Sequence, residues 1–235
     1  MSFGSQLKAV LVKDLRIEVR NPGILYTMLL FAALQVVIFG FAFYVMNDES
    51  NAEAYVPGLM WIVILFSSTL GTGRIFDREQ QNDCLAGLMM GCANLRVVYL
   101  SKVILALGFS LAMVTLVIPL VIVFFDPNIP HMGLLVLAVF LGVLGFCFVG
   151  TLFAGLVTRL AFREVLYPLI VFPLIVPLFL AGVEATSLIF LSAETRFVDN
   201  ALADIWTWLR LMLAFNLVFV FGTTWIFPYL MRDRG

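Results

Sequence analysis

Long, nearly uncharged apolar runs recur along this chain and constrain its fold more than any other feature. They occupy Gly23–Met46, Tyr55–Gly73, Val97–Phe125, Gly133–Val157, Val165–Val183 and Leu209–Met231. About 20 apolar residues in a helix cross the hydrocarbon core of a bilayer. Inside that core every backbone N–H and C=O must be bonded internally, so such runs fold as helices. The expected fold class is an all-α integral membrane protein with six transmembrane helices over 23–231. An amphipathic interfacial helix in 1–22 precedes them, and a short tail, 232–235, follows. Composition points the same way. Of the 235 residues, 63% are hydrophobic and 12% charged, where a soluble domain carries about 25% charged residues. A water-soluble enzyme is excluded, because there is too little polar surface to cover a globule.

The loops orient the bundle. Lys8, Lys13, Arg16 and Arg20 precede the first span, and Arg74, Arg78, Arg96 and Lys102 cluster about the second–third connection. Arg159 and Arg163 lie between the fourth and fifth spans, and Arg232 and Arg234 in the tail. The opposite side keeps only Arg196 and Arg210. By the positive-inside rule both termini are expected in the cytoplasm. The first run is longer than a signal-peptide core of about 7–15 residues and lacks an evident cleavage site, so it reads as a retained span. Pro168, Pro173 and Pro177 predict a kinked or broken fifth span. Glu184–Trp208 is the longest outer segment, and its apolar spacing predicts a short interfacial or re-entrant helix with Trp206 and Trp208 at headgroup depth.

Much chemistry is missing. None of the three lysines sits in a GxxxxGK[ST] pattern, so a nucleotide engine would have to belong to another subunit. No HExxH occurs, since His131 is the single histidine and lies in an outer turn, where it reads as a solvated residue. No metal site is expected, and Cys84, Cys92 and Cys147 read as reduced structural thiols. Gln35, Ser67, Ser68, Thr69, Ser110, Thr115 and Asn216 are polar residues within spans, a class that bonds to backbone or across helices. The near-neutral charge predicts no nucleic-acid partner, and an enzyme is not expected.

Two segments on the cationic side carry more information. In Ser5–Arg20, Lys13, Arg16 and Arg20 share one helical face, while Leu7, Leu11 and Leu15 share another with Val12 and Val19. That pattern suits an anionic lipid leaflet. Asp14 and Glu18 lie one turn apart and repel. Their expected setting is solvation at the helix edge, with a cationic partner surface as the alternative. The second segment is the connection 74–96. Arg74 and Asp77 or Arg78 sit one turn apart, within reach of Glu79 or Asp83. Asn82 or Asp83 can cap a following helix whose stripe is Leu85, Leu88 and Met89. That stripe either packs on the protein's own helix ends or docks in a groove of a cytoplasmic subunit.

Pro57-Gly58-x-x-Trp61, Phe66-Ser67-Ser68 and Arg74-Ile75-Phe76-Asp77-Arg78-Glu79 together resemble the CcmB-type membrane subunit of the haem exporter used in cytochrome c maturation. The order of parts is also similar over residues 5–231. The resemblance implies an ABC-2-type export permease in the bacterial inner membrane, paired with a second copy of itself. It implies a separate CcmA-like ATPase that binds ATP, haem as cargo, a CcmC-like haem-handling protein and a small membrane subunit. Under it the 74–96 connection is the coupling helix, with Arg74, Asp77, Arg78, Glu79, Asn82, Asp83, Leu85, Leu88 and Met89 at the ATPase. Trp61, Ser67, Ser68, Pro173 and Pro177 become candidates for the translocation path. Two alternatives stay open: an ABC-2 exporter of lipid, glycan or drug, and a non-transporting scaffold that anchors an ATPase in a haem-chaperone assembly.

Overall fold

A computed structural model describes residues 3–46, 52–77, 95–158, 160, 162–191 and 198–232. Their regular structure is helical throughout: α1 (Phe3–Arg20), α2 (Gly23–Met46), α3 (Ala52–Thr72), α4 (Leu95–Phe125), α5 (Met132–Val157), α6 (Arg163–Leu191) and α7 (Val198–Arg232). Six of these, α2 to α7, are long and apolar enough to cross a membrane. The break between α1 and α2 falls at Asn21-Pro22. The Asn21 N–H bonds the carbonyls of Ile17 and Glu18, and the Pro22 carbonyl accepts from Tyr26 at 3.0 Å as α2 begins. Proline cannot donate, and it disfavours helical geometry in the residue before it, so one helix ends and the next starts there.

The spans pack as two groups of three, α2–α3–α4 and α5–α6–α7. Contacts of α3 with α5 and α6, and of α4 with α5 and α7, join the groups, and α1 lies against α4. Outward faces are apolar, as with Leu30, Leu34, Ile38 and Phe41 on α2 and Leu217, Val218 and Phe221 on α7. Lipid tails are as apolar as leucine, so burying such residues does not by itself drive helices together. Close packing and interhelical hydrogen bonds do. At Gly71 on α3 an added Cβ would fall 2.0 Å from the Met28 sulfur on α2, which shows how closely these helices approach.

Two elements differ from the sequence expectation. The prolines do not interrupt α6, which is helical from Arg163 to Leu191. Pro173 and Pro177 are exposed on its outer face, where the missing N–H groups leave carbonyls one turn earlier without their helical partners. A transmembrane helix tolerates this through local adjustment and neighbouring groups. The second difference lies in Glu184–Trp208. Its first part continues α6, and its last part is the start of α7, a 35-residue helix. The apolar spacing that suggested a separate re-entrant helix belongs to these first turns of α7, where Ile205 and Leu209 are buried against the bundle and Trp206 faces outward.

Candidate functional site

The charged groups gather at the end of the bundle where α3 finishes and α6 starts. Past Thr72 the chain turns tightly: the Gly73 N–H bonds Thr69 O at 3.0 Å, Arg74 bonds Gly71 O at 3.3 Å, and Asp77 bonds Arg74 O at 3.1 Å. Burial of Ile75 and Phe76 holds this turn down. Phe76 stacks on Phe227, which in turn stacks on Tyr99 with ring centroids 4.7 Å apart. On the other side, Phe162 precedes α6 with a φ of 59°, a left-handed conformation unusual for a bulky residue. Its carbonyl accepts from Val165 and Leu166. The two turns meet in an ion pair, with Arg163 Nη1 2.9 Å from Asp77 Oδ1. Burial raises the Asp77 carboxyl above its usual range, while the charges of Arg163 and Arg74 pull it down.

Beside this pair is a cavity of about 380 Å³, within the size range of small-molecule sites. Its apolar wall is Phe31 from α2, Phe66 from α3 and Phe172 from α6. Phe66 and Phe172 meet edge to face at 5.6 Å. Its polar mouth is Arg74, Asp77, Arg163 and Glu164, and Thr69 and Tyr167 also line it. Tyr167 comes close to α5 because residue 150 is glycine: a Cβ there would lie 2.7 Å from the tyrosine oxygen.

A second ionic site joins α1 to α4. Lys102 Nζ lies 3.1 Å from Asp14 Oδ2, and Lys13 Nζ lies 2.9 Å from Asp14 Oδ1. Asp14 is 5% exposed, Lys102 3%, and Glu18 is also buried. The Lys102 ammonium sits 5.7 Å from the Phe76 ring centroid, so the two charged regions share a neighbour. This corrects the solvated-edge expectation for Asp14 and Glu18. The acidic face of α1 turns inward to a cation that enters α4, and Val12, Leu15, Ile17 and Val19 are left exposed. Arg16 and Arg20 are exposed and Lys13 is partly so.

Among the path candidates, Trp61 is 1% exposed. Its indole N–H donates to Thr186 Oγ1 at 3.1 Å, and its ring meets Phe179 edge to face. Gly142 and Gly182 cradle the indole, and a Cβ at either would lie 2.3 or 2.5 Å from it. Ser67 donates to Gln35 Oε1 at 3.3 Å, and Ser68 is buried. In this conformation Trp61, Ser67 and Ser68 sit at helix seams, while Pro173 and Pro177 face outward. Tyr99 links three helices, its oxygen 2.7 Å from the Phe148 carbonyl and 2.8 Å from Thr223 Oγ1. Replacing Tyr99 by phenylalanine should cost about 1 kcal/mol, read as a lower melting temperature in detergent. No loss would mean that the hydroxyl contributes nothing to the seam.

The structure brings Arg74 and Asp77 together. Arg78, Glu79, Asn82, Asp83, Leu85, Leu88 and Met89 lie outside the described residues. The partner of Asp77 is Arg163, where sequence reasoning looked to the neighbouring loop. Phe31, Phe172 and Tyr167 were likewise missed as cavity residues, because an aromatic in a span carries no sign of which face it lines. Among the described residues no cluster of His, Cys, Asp and Glu could hold a metal ion.

Two curated relatives extend along most of the chain. Heme exporter protein B of Bradyrhizobium diazoefficiens is 27% identical, covering 77% of this chain and 80% of that protein. Heme exporter protein B of Paracoccus denitrificans is 28% identical, covering 80% of this chain and 91% of that protein. The family described as CcmB protein matches residues 5–232, from within α1 to the end of α7. With a match that takes in all six spans, the chain belongs to the CcmB family.

Proposed function

We propose that this multi-pass membrane protein is the permease subunit of an ABC-type haem exporter serving cytochrome c maturation, in the bacterial inner membrane with both termini cytoplasmic. The observation that carries the reading is the family match over the whole bundle, beside relatives named heme exporter protein B. The chain has no phosphate-binding loop, so a separate CcmA-like ATPase supplies the energy. A second copy of the chain, a CcmC-like protein and a small membrane subunit complete the assembly.

In this reading the 74–96 segment is the coupling element. Its start is held by the Asp77–Arg163 pair, so a push on the segment reaches the first turn of α6. That helix contains three prolines and bends more easily than its neighbours. Movement at Pro173 and Pro177 would then open or close the route between helices, with Trp61, Ser67 and Ser68 exposed on the way. The ATPase shifts the inward–outward equilibrium only by as much as it binds the two states differently.

Changing Leu85 and Leu88 together to aspartate should abolish co-purification of the ATPase, while the permease keeps its melting temperature. Retained co-purification would remove the 74–96 segment as the docking element. Purification from the native membrane, followed by ATP-dependent haem movement in liposomes, tests the wider reading. Movement of a lipid or glycan in its place, or ATP hydrolysis with no movement of haem, would overturn it.

A further inference from the structure

The cavity between α2, α3 and α6 combines two chemistries that seldom meet by chance. Phe31, Phe66 and Phe172 make an aromatic slot, and Phe66 is partly open to the surrounding bilayer. At its mouth Arg74 and Arg163 stand against Asp77 and Glu164, so the rim is balanced in charge. The Asp77 carboxylate occupies the Arg163 guanidinium at 2.9 Å. Arginine's planar fork binds carboxylate and phosphate alike. An anion reaching Arg163 would therefore meet Asp77 as a competitor. We propose that this cavity binds an amphiphilic anion, with its apolar body in the Phe31–Phe66–Phe172 slot and its carboxylate or phosphate on Arg163 in place of Asp77.

Exchange at Arg163 gives the site a consequence. Once the anion holds the arginine, the chain after α3 is no longer tied to the start of α6. Occupancy of the cavity is thereby communicated to the 74–96 segment through one ion pair. Two sources share this chemistry, a porphyrin bearing propionates and an anionic phospholipid. The choice of porphyrin as occupant rests on the haem-export reading, and the site itself does not.

The test uses the full chain in phosphatidylcholine nanodiscs, titrated with free-base protoporphyrin IX and with its dimethyl ester, followed by porphyrin fluorescence. Free base removes iron ligation from the question, and the ester removes the carboxylates. Asp77→Asn removes the competitor and should tighten binding of the diacid about tenfold, while Arg163→Gln should weaken it about tenfold. The ester should bind the wild-type chain about tenfold more weakly than the diacid and be indifferent to Asp77→Asn. A merely structural ion pair predicts a different sign, with both substitutions weakening binding alike. That result would overturn the proposal, as would equal binding of acid and ester, a comparison that needs no variant. In nanodiscs containing phosphatidylglycerol, displacement of the porphyrin assigns the site to lipid, and undiminished porphyrin binding assigns it to the porphyrin. If neither the diacid nor phosphatidylglycerol responds to Asp77→Asn, the site is refuted. No ATPase is present in this experiment, so its failure leaves the transport reading standing or falling on the liposome assay alone.

Discussion

Substituting methionine for Lys102 should destabilise the protein by about 3–5 kcal/mol, the usual cost of stranding one member of a buried ion pair. Asp14 would then stay buried against α4 with its interhelix cation gone, and Lys13, on the same helix, cannot tie α1 to the bundle. The expected readouts are a marked fall in melting temperature and new protease cleavage within α1. The double change Asp14→Leu with Lys102→Met should recover most of the loss, because an apolar pair of similar volume replaces both charges. A single variant as stable as the wild type would mean that the ion pair does not hold α1 in place. The same comparison separates a lipid-held α1 from a protein-held one. If the exposed Val12, Leu15 and Val19 face alone anchors the helix, the protease pattern will not change.

Alanine at Gly142 and at Gly182 should each cost about 1–3 kcal/mol, and the pair together should leave little folded protein. The reason is the indole between them. A Cβ at residue 142 would meet the far edge of the Trp61 ring at 2.3 Å, and one at residue 182 would meet its near edge at 2.5 Å. The ring is rigid, and its N–H is committed to Thr186 across 125 residues of sequence. It therefore has no direction in which to yield. Both glycines act through one side chain, so their effects should not be additive. Trp61→Leu in the doubly substituted background should restore thermal stability by clearing the obstruction. If Gly142→Ala with Gly182→Ala melts like the wild type, Trp61 is not the keystone of the α3–α5–α6 junction. Should the spans move during transport, this junction would have to separate, and variants that weaken it should alter turnover as well as stability.

How much of this was legible beforehand differs from residue to residue. The acidic pair Asp14 and Glu18 was visible as an anomaly on a basic helix, and a cationic surface was one of the two settings considered for it. What pattern analysis lacked was that the cation, Lys102, belongs to the same chain. Asp77 was singled out, yet its partner Arg163 sits in a different connection, and only the packing of α3 on α6 brings them together. The apolar spacing of Phe197–Trp208 was real but ambiguous. A period of 3.6 residues tells which residues share a face, and it cannot say whether the helix stands alone or opens a longer one. The three prolines of α6 misled in part, because helix-breaking rules describe chains in water, where a peptide group freed from the helix has a solvent to turn to.

The amino-acid sequence by itself determined the number of spans, the helical class and the side on which positive charge collects. The bilayer imposes a length and a polarity that each segment must meet independently, and those demands can be read locally. Only the tertiary structure decided which helices touch, where Trp61 is seated, and that Asp77 meets Arg163 beside an aromatic cavity. In an apolar solvent a leucine-rich face does not distinguish lipid from protein. Partner choice then rests on small-residue gaps and paired polar groups far apart in the chain, and their fit exists only once the helices have assembled.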